Sequence, residues 1–123
     1  VRFQNAGQLS NTIVRDSSTL DAGASLYGSN CMMCHGPTGT GDGAVADFLI
    51  KASSIPPADL MGQASQGSSD GELFSFISRG GRIGLFSREA GVKSASAMPT
   101  FDKLLSEDER WALVDYIRFL AGK

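Results

Sequence analysis

Histidine occurs once in these 123 residues and cysteine twice. A single imidazole leaves no second histidine for a catalytic relay. The 13 acidic residues are scattered over caps and loops, and no pair of them is spaced for acid–base work. A structural zinc usually draws four ligands from two separated pairs, and two cysteines supply only one. Basic residues are not in excess either. Eleven Lys and Arg against 13 Asp and Glu give a net charge of −2, which argues against nucleic acid as a partner because that would demand a basic face. No apolar run approaches the roughly 20 residues needed to span a bilayer, so no direct membrane span is expected. Alternating strand patterns are missing as well, so the fold class reads as all-α. Aliphatic and aromatic residues make up 41% of a single-domain chain with 15 glycines. Such a core is thin, and a bound macrocycle would help fill it.

What is present is concentrated. Cys31-Met32-Met33-Cys34-His35 holds both cysteines and the only histidine. Two thiols three residues apart, followed at once by an imidazole, match the attachment site for one haem c. The thiols add across the haem vinyl groups, and the adjacent His35 reaches the iron from one face. Three other readings compete. A zinc site would have three contiguous ligands and no second knuckle, a redox dithiol would lack its preceding strand, and a disulfide would close a very short loop. Thioether attachment occurs on the exported side of a bacterial membrane, so the expected location is the periplasm or the extracytoplasmic face of the inner membrane. Val1-Arg2-Phe3-Gln4 carries no leader, so a mature product is expected, or the soluble part of a longer protein.

Along the chain, residues 1–19 are polar and aperiodic and read as an extension, a wrapping arm or a linker; the domain proper is placed at 20–123. A helix is expected from about Asp21 to the cysteine motif. Residues 36–43 form a glycine-rich loop that lacks the Lys-Ser/Thr of a phosphate cradle. Residues 44–52 suit a short helix with Val45, Phe48 and Leu49 inward, stopped by Pro56-Pro57. Ser69-Asp70 caps a helix over 70–79, with Leu73, Phe74 and Ile77 on its buried stripe and Gly80-Gly81 ending it. Residues 82–100 read as a long loop. Ser106-Glu107-Asp108-Glu109 is a capping box that opens the strongest helix, 107 to about 121.

Over residues 20–121 the chain resembles the bacterial class I cytochromes c. Gly23 and Tyr27 precede Cys31 at the spacing at which that family's first helix crosses its last, and Leu113, Tyr116 and Ile117 match the pattern on the last helix. The resemblance implies about four short helices around one covalently bound haem, with the terminal helices crossing. It implies thioethers from Cys31 and Cys34, and iron held by His35 and by Met98 of Ala97-Met98-Pro99-Thr100-Phe101. Met61 is the rival sulfur, and an open or water-ligated iron is a third option. In the family a backbone carbonyl of a proline-rich stretch holds the histidine, and Pro57 is the choice here. Leu60, Leu73, Ile77 and Phe101 are expected haem-wall residues, and Arg82 is a candidate partner for a propionate. The implied activity is one-electron transfer rather than enzymatic catalysis. Implied partners are redox proteins: an oxidase, a reductase, or a reaction-centre or quinol-oxidising complex. The cytochrome would work free or as a haem subunit of a membrane electron-transfer complex. Arg79, Arg82, Arg88, Lys93 and Lys103 give residues 79–103 a local balance of +3, against −4 for residues 42–72. That contrast suggests a mildly basic rim near the haem edge.

Overall fold

Short polar side chains decide where the main helices begin. The computed structural model describes residues 4–53 and 55–123. Among them the chain runs α1 (Gln4–Gly7), α2 (Ser17–Asn30), α3 (Met32–His35), α4 (Ala46–Ser53), α5 (Gln63–Gln66), α6 (Asp70–Arg79), α7 (Gly81–Ala90), a 3-10 turn (Phe101–Lys103) and α8 (Glu107–Leu120), with no strand. Asp16 accepts from the Thr19 N–H and opens α2 four residues before the expected start. Ser69 and Ser106 open α6 and α8 in the same reciprocal way, with Glu72 and Glu109 reaching back to the cap N–H. Each such cap is worth about 1 kcal/mol.

The core forms where α2 crosses α8. A Cβ on Gly23 would overlap the Ala112 carbonyl oxygen and stand 2.7 Å from the Tyr116 Cβ, so only glycine permits this approach. Tyr27 packs beside the crossing with its ring 5.4 Å from that of Tyr116, centroid to centroid. Across the core, Phe74 of α6 stacks on Trp111 of α8 at 4.1 Å. The buried Arg110 guanidinium lies over the Phe74 ring and donates to the Ser78 hydroxyl at 2.6 Å. Leu113 and Val114 have no exposed surface.

Two expectations change. Residues 82–90 are helical, not part of a loop. No side chain caps α7, and its interior glycine at 84 costs about 1 kcal/mol of helix propensity. Packing supplies what propensity lacks: Leu85 is buried, and a Cβ on Gly84 would overlap the Arg79 carbonyl. Phe48 points outward, 70% exposed, while its neighbour Ala46 is buried. The amino-terminal segment packs onto the domain. Ala6 is buried in the core cluster, and a Cβ on Gly71 would overlap the Ala6 carbonyl oxygen.

A second latch holds this arm: the Asn11 amide donates to Asp115 Oδ1 at 2.8 Å. Asp115 is buried and its Oδ2 has no partner among the described residues. Burial raises its pKa; Arg15 opposes the shift, Asp70 adds to it, and the Asn11 bond opposes it. A carboxyl that titrates higher in the folded protein keeps its proton there after the unfolded chain has lost it. Stability from this group therefore falls as pH rises above the ordinary Asp range. Asp115→Asn should flatten that fall in denaturant midpoints measured between acidic and neutral pH, and an unchanged pH slope would contradict the assignment.

Candidate haem site

The cysteine motif occupies a single helical turn directly after α2. Cys31 N–H closes α2 on the Tyr27 carbonyl, and the Cys34 and His35 N–H groups both return to the Cys31 carbonyl. Gly36, at φ 84°, ends the turn in a conformation that favours glycine. The glycine loop then folds back over the motif. Gly41, Gly43 and Val45 N–H groups donate to the carbonyls of His35, Cys34 and Met33 at 2.8–3.1 Å. A Cβ on Gly43 would overlap the Met33 carbonyl oxygen. Tyr27 adds a buried bond from its hydroxyl to the Gly36 carbonyl at 2.6 Å. This loop is the mould of the motif, not a phosphate cradle.

His35 Nδ1 lies 2.9 Å from the Ala58 carbonyl oxygen. A carbonyl only accepts, so Nδ1 carries the hydrogen and Nε2 keeps its lone pair for a metal. The choice of Pro57 for this carbonyl is off by one residue. The Pro57 carbonyl faces Gly41 instead, where a Cβ would come within 2.8 Å of it. Burial lowers the His35 pKa and the Ala58 bond partly offsets that, which favours the neutral ring that a metal ligand must be. Burial, with Cys34 nearby, pushes the Cys31 thiol up to about 12. A redox dithiol needs the opposite shift. The two sulfurs are not joined as a disulfide. Among the described residues, no group of three or more His, Cys, Asp and Glu is placed to hold a metal ion.

Cys31, Cys34, His35 and Met98, up to 67 residues apart in the chain, line one cleft of about 190 Å³. Its wall is mostly apolar and includes Leu49, Ile55, Pro57, Ile83 and Phe101. The donor set fits covalent haem: two thiols, one neutral imidazole with a free Nε2, and one thioether. Arg82 also lines the cleft, donating to the Ala64 carbonyl and Ser68 hydroxyl and lying over the Phe76 ring. Leu73 and Ile77 are buried in the core cluster, with Leu60 packed against it, and none of the three lines the cleft. Met61 does not line it either; its methyl sits beside Gly39. Ala58 was missed because Pro56-Pro57-Ala58-Asp59-Leu60 has one residue more than the family spacing. Ile83 was missed along with its helix. The basic rim is smaller than the charge count suggested, since Arg79 is paired with Asp102 and Arg82 is bonded internally.

This arrangement defines a haem-binding helical protein of cytochrome c type. The family model described as Cytochrome c matches residues 20–121, and the chain belongs to that family. Membership carries covalently bound haem c with its iron, and electron transfer. Among solved structures, a chain of the Kuenenia stuttgartiensis reducing HAO-like protein complex matches with a TM-score of 0.63 at 27% identity. The match covers 91% of this chain and 49% of that one, so this chain spans about half the length of its structural relative. No curated protein sequence matches. Among the described residues no helix is long and apolar enough to cross a membrane.

Proposed function

We propose that this protein carries one electron at a time between redox proteins on the extracytoplasmic side of a bacterial inner membrane. In this reading it uses a single haem c with His35 and Met98 as axial ligands. The observation that carries the proposal is the convergence of Met98 on the cleft that holds Cys31, Cys34 and His35. The bound haem supplies a ferric–ferrous couple. The chain supplies the rest. Cys31 and Cys34 would anchor the macrocycle covalently, and His35 would donate through Nε2 while the Ala58 carbonyl fixes its ring. Met98 offers a soft sulfur that favours the ferrous state. Leu49, Ile55, Ile83 and Phe101, which line the cleft, would shield the iron from water.

With His35 and Met98 both holding the iron, no site would remain on it for a substrate, and His35 is the only imidazole in the sequence. Outer-sphere transfer is the chemistry that remains. Respiratory and photosynthetic complexes are the partner class proposed. The likeness to a chain of a larger assembly supports a version in which this domain works as a docked or tethered haem subunit.

A redox titration followed by visible absorption tests the proposal. We expect one reversible one-electron transition and a low-spin spectrum in both states. Carbon monoxide added to the reduced protein should leave that spectrum unchanged. Rapid carbon monoxide binding would reveal an open iron position and overturn the carrier reading.

A further inference from the structure

The segment that presents Met98 has almost no regular structure of its own between Gly91 and Thr100. Something outside it must hold the sulfur in place. Two contacts from the α6–α7 corner do so. Two residues after Met98-Pro99-Thr100, Asp102 Oδ2 accepts from Arg79 Nη1 at 2.6 Å, tying the 3-10 turn to the end of α6. The next two residues after Arg79 are glycines, at φ 88° and 80°. They form a saddle under Met98: a Cβ on Gly80 would stand 2.8 Å from the Met98 carbonyl oxygen, and one on Gly81 would stand 3.4 Å from its sulfur. A lighter third contact lies within the segment, where the Met98 N–H donates to the Ser96 hydroxyl at 3.2 Å.

We propose that Arg79 and Asp102, closed over the Gly80-Gly81 saddle, position the Met98 sulfur as an iron ligand. Arg79 acts through Met98 and is a positioning residue. The inference rests on the His35/Met98 reading above. The pair is asymmetric. Asp102 is the more buried side chain, and its Oδ1 has no partner among the described residues. Removing Arg79 leaves that carboxylate uncompensated, whereas removing the Asp102 charge leaves an arginine that water can still reach. Arg79→Gln should therefore loosen the loop more than Asp102→Asn. Lysine can replace a single charge-assisted contact, so Arg79→Lys should largely restore the wild-type behaviour.

The readout is the rate at which imidazole binds the ferric iron of the haem-loaded protein, which requires the sixth ligand to leave first. Arg79→Gln should raise that rate about tenfold, the equivalent of roughly 1.4 kcal/mol less hold on the sulfur. Asp102→Asn should raise it less. Arg118→Gln is the control for general destabilisation. Arg118 bonds to Asp70, Gln66 and Ser68 and to nothing in the Met98 segment, so its loss should lower the melting temperature without changing imidazole binding. Equal rates in Arg79→Gln and wild type, or an equal rise in Arg118→Gln, would overturn the clamp. Met98→Ala separates the two ideas. If it binds imidazole no faster than wild type, the ligation reading fails, whatever the clamp variants do.

Discussion

Met98→Ala should lower the reduction potential by on the order of a hundred millivolts, a fraction of the roughly 0.8 V range over which axial ligands set haem potentials. The sulfur stabilises ferrous iron more than ferric, and water or hydroxide in its place reverses that preference. The long-wavelength sulfur–iron band of the oxidised protein should vanish with it. Met61→Ala is the matched comparison. Its methyl packs beside Gly39 and outside the cleft, so its loss should cost stability and leave both band and potential in place. If Met61→Ala removes the band and Met98→Ala does not, the assignment of the sulfur is reversed.

Gly23→Val should be the most damaging single change to the fold. The new side chain would have to occupy space already held by the Ala112 carbonyl and Tyr116 Cβ. Neither is the free end of a flexible side chain, so the helices must separate. Overpacking of this kind costs ~3 kcal/mol. In a domain of this size that should lower the melting temperature by on the order of 10 °C. Thermal unfolding followed by far-ultraviolet circular dichroism would measure it, and a shift of only a degree or two would mean that the crossing is looser than the distances imply. Haem attachment should survive, since Cys31 and Cys34 lie beyond the crossing.

Much of this was legible in the residues because local rules and tertiary packing agree there. The helix over 70–79 starts and stops where Ser69 and Gly80 say it should, and α8 follows from its capping box and near-continuous apolar surface. The cysteine motif and Met98 likewise converge on one cleft. Where local and tertiary signals diverge, the sequence misled. Gly84 argues against a helix, yet α7 forms, with Leu85 buried and Gly84 allowing close approach to the Arg79 carbonyl. Phe48 looks like a core residue and faces out, while Ala46, two positions earlier, is buried. Residues 1–19 left arm and linker both open, because the contact of Asn11 with Asp115, 104 residues away, is encoded by no local pattern. Ala58 differs from the expected Pro57 by one position, the uncertainty that one extra residue in the stretch introduces.

The central claim is that a haem is covalently stitched to Cys31 and Cys34, and extraction of the purified protein with acidified acetone tests it most directly. The pigment should remain with the precipitated polypeptide, and a Cys31→Ser/Cys34→Ser double variant should release it to the solvent. A colourless preparation, or wild-type protein that surrenders its pigment to the acetone, would contradict the account.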